Sequence, residues 1–113
     1  MDSRIPASLE VSALIRQVQA AGGFPVVLQK GEPEAGTILV VLVENGANAR
    51  VYERMPQLDG TRQWHCAGRQ STENAEDFVN WLDRRKAQDR DLWIVELDIA
   101  GGERFIGLTP DEG

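Results

Sequence analysis

The apolar positions of this chain follow two periods. The longest run, Ile38-Leu39-Val40-Val41-Leu42-Val43, is mostly β-branched. It lies between Gly31-Glu32-Pro33-Glu34-Ala35-Gly36 and an Asn45-Gly46 pair. β-Branched side chains are stiff at χ1 and suit a pleated surface better than a helix. The length suits a strand over residues 37–44 and is short for a helix. Because odd and even positions are both apolar, both faces of this strand need cover, which places it centrally in a sheet.

Before that run, Val11, Leu14, Ile15 and Val18 recur at helical spacing and form one apolar stripe. Ser8 is the expected N-cap, and Gly22-Gly23 supplies the left-handed residue that ends a helix. Residues 24–30 predict a strand, and Pro25 near its start marks an edge, or at least a first residue that need not donate to a ladder. The segment 31–36 reads as a turn from which strand 37–44 returns antiparallel. Asn45-Gly46-Ala47-Asn48 is a hairpin signal, since Asn and Gly accept positive φ. Strands follow at 49–55 and 62–67.

Ser71-Thr72 opens a second helix with Glu73, Glu76 and Asp77 early and Arg84, Arg85 and Lys86 late, which suits the helix dipole. Its expected buried stripe is Ala75, Phe78, Val79 and Leu82, with Trp81 at the margin. A last strand runs over 92–98, with an antiparallel place beside the first strand preferred. After the Gly101-Gly102 turn, residues 103–106 predict a short return strand. The expected fold is α+β in the order α-β-β-β-β-α-β, a mainly antiparallel five-stranded sheet with two helices packed on one face. Residues 1–113 form one domain, with a lead-in at 1–7 and a tail at 109–113. Two helices on one face leave the other face of the central strands bare, and a bare apolar face is an interface. The expectation that follows is either strong curling of the sheet or a homodimer or protein partner on that face.

Composition narrows the function classes. The chain has 113 residues and a formal charge of −6. The acidic excess lies after residue 70. Without a clustered Lys/Arg stripe it is a poor match for nucleic acid or for an anionic membrane surface. It carries no apolar run long enough to span a bilayer and no basic-then-apolar leader. One cysteine allows no internal disulfide, so a cytoplasmic location is expected.

The residues Ala13-Leu14-Ile15-Arg16, Ala21-Gly22-Gly23-Phe24, Gly31-Glu32-Pro33-Glu34-Ala35-Gly36, Val51-Tyr52 and Asp91-Leu92-Trp93-Ile94-Val95-Glu96-Leu97-Asp98 together resemble the domain of unknown function 1491 family of small alphaproteobacterial proteins. The resemblance covers nearly the whole chain and implies a compact bacterial domain. It carries no catalytic residues.

Chemistry is sparse. One His and one Cys, adjacent on a strand, point to opposite faces and cannot share a metal ion or form a dyad. Neither phosphate-loop spacing is present, and Gly22-Gly23 follows a helix where a phosphate loop precedes one. There is no nucleophile-elbow motif. Glu96 and Asp98 share a strand face, and Glu32 and Glu34 share a turn, but a chain this acidic produces such pairs by chance. No catalytic residue, cofactor or metal ligand is expected. Arg50, Tyr52 and Arg54 alternate along one side of their strand, with Gln63 and His65 on the next, and form the expected interaction patch. The other reading of these residues is a solvated sheet face. The expected function is therefore a non-enzymatic domain acting through protein contact or self-association. The alternative is a small-molecule-binding domain or cryptic enzyme with a pocket between sheet and helices, lined by Arg16, Tyr52 or Glu96.

Overall fold

The computed structural model describes residues 6–34, 36–56, 62–69 and 75–107. The elements are α1 (Ala7–Ala20), β1 (Phe24–Gln29), β2 (Ile38–Glu44), β3 (Ala47–Pro56), β4 (Arg62–Arg69), α2 (Ala75–Gln88), β5 (Trp93–Asp98) and a 3-10 helix (Gly102–Ile106). The fold is α+β in the expected element order, and all five strands form one sheet.

The strand order is β1-β5-β2-β3-β4. β5 lies antiparallel to β1, as preferred, and parallel to β2. The expected direct return of β2 along β1 is corrected: β5 fills the space between them. The physical reason lies in composition. β2 is buried along Ile38–Val43, and β5 is apolar on both faces at Trp93, Val95, Leu97 and Leu92, Ile94. Such strands lose most by standing at an edge, so they pair with each other at the centre. β1 and β4 are left as the edges.

Residues 31–34 and 36 therefore bridge the start of β5. Glu32 N–H donates to the Asp91 carbonyl at 3.0 Å. Trp93 Nε1–H donates to the Glu32 carbonyl at 2.7 Å. The Gln29 amide donates to the carbonyls of Asp89 and Leu92. A Cβ on Gly36 would sit 2.5 Å from the Asp91 carbonyl oxygen and 2.8 Å from that of Glu32. Neither neighbour is a flexible side-chain end, so the backbone itself would have to shift. Gly36→Ala is expected to destabilise the fold by about 1–3 kcal/mol, as overpacking does, read as a lower urea midpoint with an unchanged m-value.

α1 begins at Ala7, one residue before the expected Ser8 cap can act. Its first N–H groups are taken by the bridge: Ala7 donates to Glu34 O at 3.1 Å and Ser8 to Pro33 O at 2.8 Å. A backbone partner thus replaces a side-chain cap, and Ala7, expected in the lead-in, is helical and buried. The C-terminus ends as expected. Gly22 has φ +89°, Gly22 N–H donates to Gln19 O, and Gly23 N–H donates to Val18 O, the paired bonds of a Schellman motif. The hairpin signal also holds, with Asn45 and Gly46 at φ +53° and +77° between paired Glu44 and Ala47.

The expectation that both helices share one face is corrected. α1 packs through Ala7, Val11, Leu14 and Val18 on Ile38, Val40, Leu42, Tyr52, Trp93, Val95 and Leu97. α2 packs through Phe78, Trp81 and Leu82 on the opposite face, on Leu39, Val41, Val51, Leu92 and Ile94. A strand that is apolar on both sides is satisfied most economically by one helix per side. No bare central face remains among the described residues. Two smaller expectations are also corrected. Val79, placed in the buried stripe, is 53% exposed, because α2 rests on Phe78, Trp81, Leu82 and Arg85, and Val79 lies round the helix from that line. Residues 103–106 form the 3-10 helix instead of a strand, held between Gly101 and Gly107, both at positive φ. The Ser71-Thr72 cap and the 109–113 tail lie outside the described residues.

Candidate functional site

The structure divides the expected interaction patch. β3 turns Arg50, Tyr52 and Arg54 toward α1, but not onto a solvated surface. Tyr52 is fully buried and Arg50 is 8% exposed. The reason is Glu103 on the 3-10 helix, itself 2% exposed. Arg50 donates to both of its carboxylate oxygens, Nε at 2.5 Å and Nη2 at 2.9 Å, and the Tyr52 hydroxyl donates to it at 3.2 Å. Arg50 Nη1 also donates to the Asn48 carbonyl, and Glu44 lies 3.9 Å from Nη2. Held by Arg50, the Glu103 carboxyl titrates below the usual carboxylate range, and the bond to Glu103 raises the Arg50 guanidinium in turn. This network closes the 3-10 helix over the sheet.

Arg54 pairs with Glu10 of α1 and lies over the Trp64 ring, 5.7 Å from its centroid. His65 is exposed and stands opposite Glu53, on the face that carries α2. There Glu53 accepts two 2.9 Å bonds from Arg85, which also lies over Trp81. Gln63 pairs through its backbone with Met55, and its side chain lies outside the described residues. Arg50 and Tyr52 are thus in the core, Arg54 is tied to α1, and His65 faces the other way. Cys66, cross-strand from Tyr52, faces the α1 core, opposite to His65. The alternative pocket residues do not converge either: Arg16 is exposed on α1, Tyr52 is buried on the α1 face, and Glu96 lies on the opposite face. Among the described residues no three His, Cys, Asp or Glu groups come together to hold a metal ion. No helix among them is long and apolar enough to cross a membrane.

Exposed apolar surface collects elsewhere, on β1. Phe24 is 72%, Val26 47% and Val27 41% exposed, and the outer side of this strand pairs with no strand among the described residues. The register sets Phe24 beside Asp98 and Val26 beside Glu96, all on the face that carries α2. α2 covers Leu92 and Ile94 on that face. Further along β5 the same face turns polar, at Glu96 and Asp98. Asp98 accepts from the Asn45 and Gly46 N–H groups. Glu96 is half-buried and has no hydrogen bond or ion pair among the described residues. Burial first, and the charge of Asp98 second, push its carboxyl above the usual range. At one end of β1 lies a cleft of about 200 Å³ lined by Gly22, Phe24, Glu44, Asn45, Asp98, Ile99 and Ala100. The sequence signals for this site were Pro25, marking an edge strand, and the absence of charge from Phe24 to Gln29. What they could not give was β5 as the neighbour that brings Glu96 and Asp98 alongside.

Glu96 makes a stability prediction. Its folded-state pKa is raised, so the folded protein holds the proton more tightly than the unfolded chain. The resulting penalty is absent below the unfolded value of about 4.3 and grows as pH rises to the folded value. Glu96→Gln is therefore expected to raise the urea midpoint at pH 7, with the gain shrinking to nothing as the pH is lowered through this window.

The sequence profile described as "Protein of unknown function (DUF1491)" matches residues 5–107. The crystal structure of a DUF1491 family protein from Caulobacter crescentus CB15 superposes with a TM-score of 0.79 at 30% identity, over 94% of this chain and 98% of that one. The solution structure of protein Atu0922 from A. tumefaciens gives 0.74 at 30% identity, over 93% and 94%. An enolase from Methanopyrus kandleri is 29% identical over 104 residues; the match takes in 88% of this chain and 24% of that enzyme's length.

Proposed function

This chain belongs to the DUF1491 family of proteins of unknown function, and on that footing we propose that it is a cytoplasmic domain acting by contact with another protein through the free edge of β1. The observation that carries the reading is the concentration of exposed large apolar side chains, Phe24, Val26 and Val27, on one edge strand. Edge strands present unpaired N–H and C=O groups, and natural proteins blunt or cover them. Here the edge carries Pro25 but no charged residue between Phe24 and Gln29. Strand addition gives such an edge a use: main-chain bonds supply affinity and alternate side chains supply specificity. The cytoplasmic location rests on the single cysteine. Self-association was argued from a bare central face. That face is covered, so this argument for a homodimer fails.

The test is affinity capture from the protein's own cells with three baits: the wild type, the double variant Phe24→Asp with Val26→Asp, and Leu9→Asp as a control on an exposed apolar residue of α1. A stoichiometric partner held by the wild type and by Leu9→Asp but lost from the β1 variant is expected. Equal recovery by all three baits, with the β1 variant folded by circular dichroism, overturns the reading.

A further inference from the structure

Resting on that reading, we propose that the segment docking on β1 is an extended, basic stretch of a partner protein, and not a second copy of this chain. The inference starts from Glu96. This half-buried carboxylate stands one strand in from the free edge, with Val26 on one side and Val41 on the other. Among the described residues nothing cationic pairs with it. Its neighbour along the strand face is Asp98, and at the same end of the sheet lies Glu44. A half-buried charge is costly until it is paired. Neighbouring strands lie about 4.8 Å apart, so a strand added to β1 runs about 10 Å from β5. A lysine on the α2 side of that added strand lays its four-carbon stem along Val26 and brings its ammonium to Glu96. The α1 side of the added strand meets Val27 and takes apolar residues, while a further lysine on the α2 side lies along Phe24 toward Asp98. The edge thus reads alternating apolar and basic side chains.

A second copy fits worse. Two β1 strands paired about a two-fold axis bring two Pro25 residues into one ladder, each without a donor. They also leave each Glu96 carboxylate without a cation across the seam, because β1 carries no charged residue from Phe24 to Gln29.

The experiment follows the backbone amides of the full-length ¹⁵N-labelled chain by NMR while a capped alternating valine–lysine heptapeptide is added to millimolar concentration. A valine–glutamate heptapeptide is added in parallel. The expected result is saturable shifts of the β1 amides from Val26 to Gln29 with the lysine peptide, weakened by added salt. Glu96→Gln, which keeps size and shape, is expected to weaken binding about threefold to fivefold, the effect of one partly exposed ion pair. Equal binding of the glutamate peptide at β1 overturns the basic partner while leaving the contact reading intact. Concentration-dependent shifts of the β1 amides without peptide, with a dimer in sedimentation, overturn it in favour of a second copy. No β1 response to either peptide overturns it as well; whether the contact reading then also fails is decided by the β1-dependent capture described above.

Discussion

Replacing Glu103 by alanine is expected to lower the unfolding free energy by about 3–5 kcal/mol, the cost of breaking a buried ion pair from one side. The carboxylate is 2% exposed and takes both Arg50 bonds and the Tyr52 hydroxyl. Deleting it leaves a guanidinium buried with only the Asn48 carbonyl and a distant Glu44. The loss comes from the stranded charge more than from the pair itself. Replacing both partners together, Arg50→Met with Glu103→Leu, is therefore expected to recover much of the stability lost by Glu103→Ala. Urea unfolding of the three variants checks this, and a double variant no more stable than Glu103→Ala would refute it. The pH dependence follows from the same contact. The folded-state pKa of Glu103 is lowered, so the unfolded chain binds its proton first. The stabilisation is fully present above about pH 4.3 and is lost as pH falls toward the folded value. Wild type and Glu103→Ala should converge in stability under strongly acidic conditions.

Ile94→Ala is expected to cost about 2–5 kcal/mol. Ile94 is fully buried in β5, between β1 and β2, and faces the core under α2 with Leu39 and Leu92. Strands clamp it on both sides, so the site has little freedom to collapse around the lost atoms. A truncation at exposed Val27 should stay within about 0.5 kcal/mol. Chemical denaturation of the two variants, with m-values unchanged, tests both the centrality of β5 and the solvent-facing position of β1. A small loss at Ile94 would contradict the strand order.

The candidate site was legible only in part. Pro25 marked β1 as an edge, and its uncharged side chains were plain to read. Arg50, Tyr52 and Arg54 were read as an outer patch, whereas their alternation puts polar groups on a core-facing side, an arrangement that needs a partner. The partner, Glu103, is 53 residues away along the chain from Arg50, and no local pattern links the two. The turn read over 31–36 is present at Pro33-Glu34, but what it crosses was not legible, for a similar reason. Its glycines serve a close approach to Asp91, and that contact exists only once β5 has inserted between β1 and β2.

By itself the sequence determined the two α-helices, the five strands and their order, from local signals: the 3.6-residue stripe of α1, the two-sided apolar run of β2, the Asn45-Gly46 hairpin and the glycine stop after α1. It also determined that β2 and β5 are interior strands, since β2 is apolar on both sides along Ile38–Val43 and β5 on both sides over residues 92–95. The tertiary structure alone decided which strands adjoin, which face each helix covers, and therefore which surface is left bare. Those outcomes depend on how apolar surfaces far apart in the chain are shared out. One helix per face closes the centre of the sheet, and the exposed apolar surface moves to the β1 edge, beside a carboxylate that has no partner among the described residues.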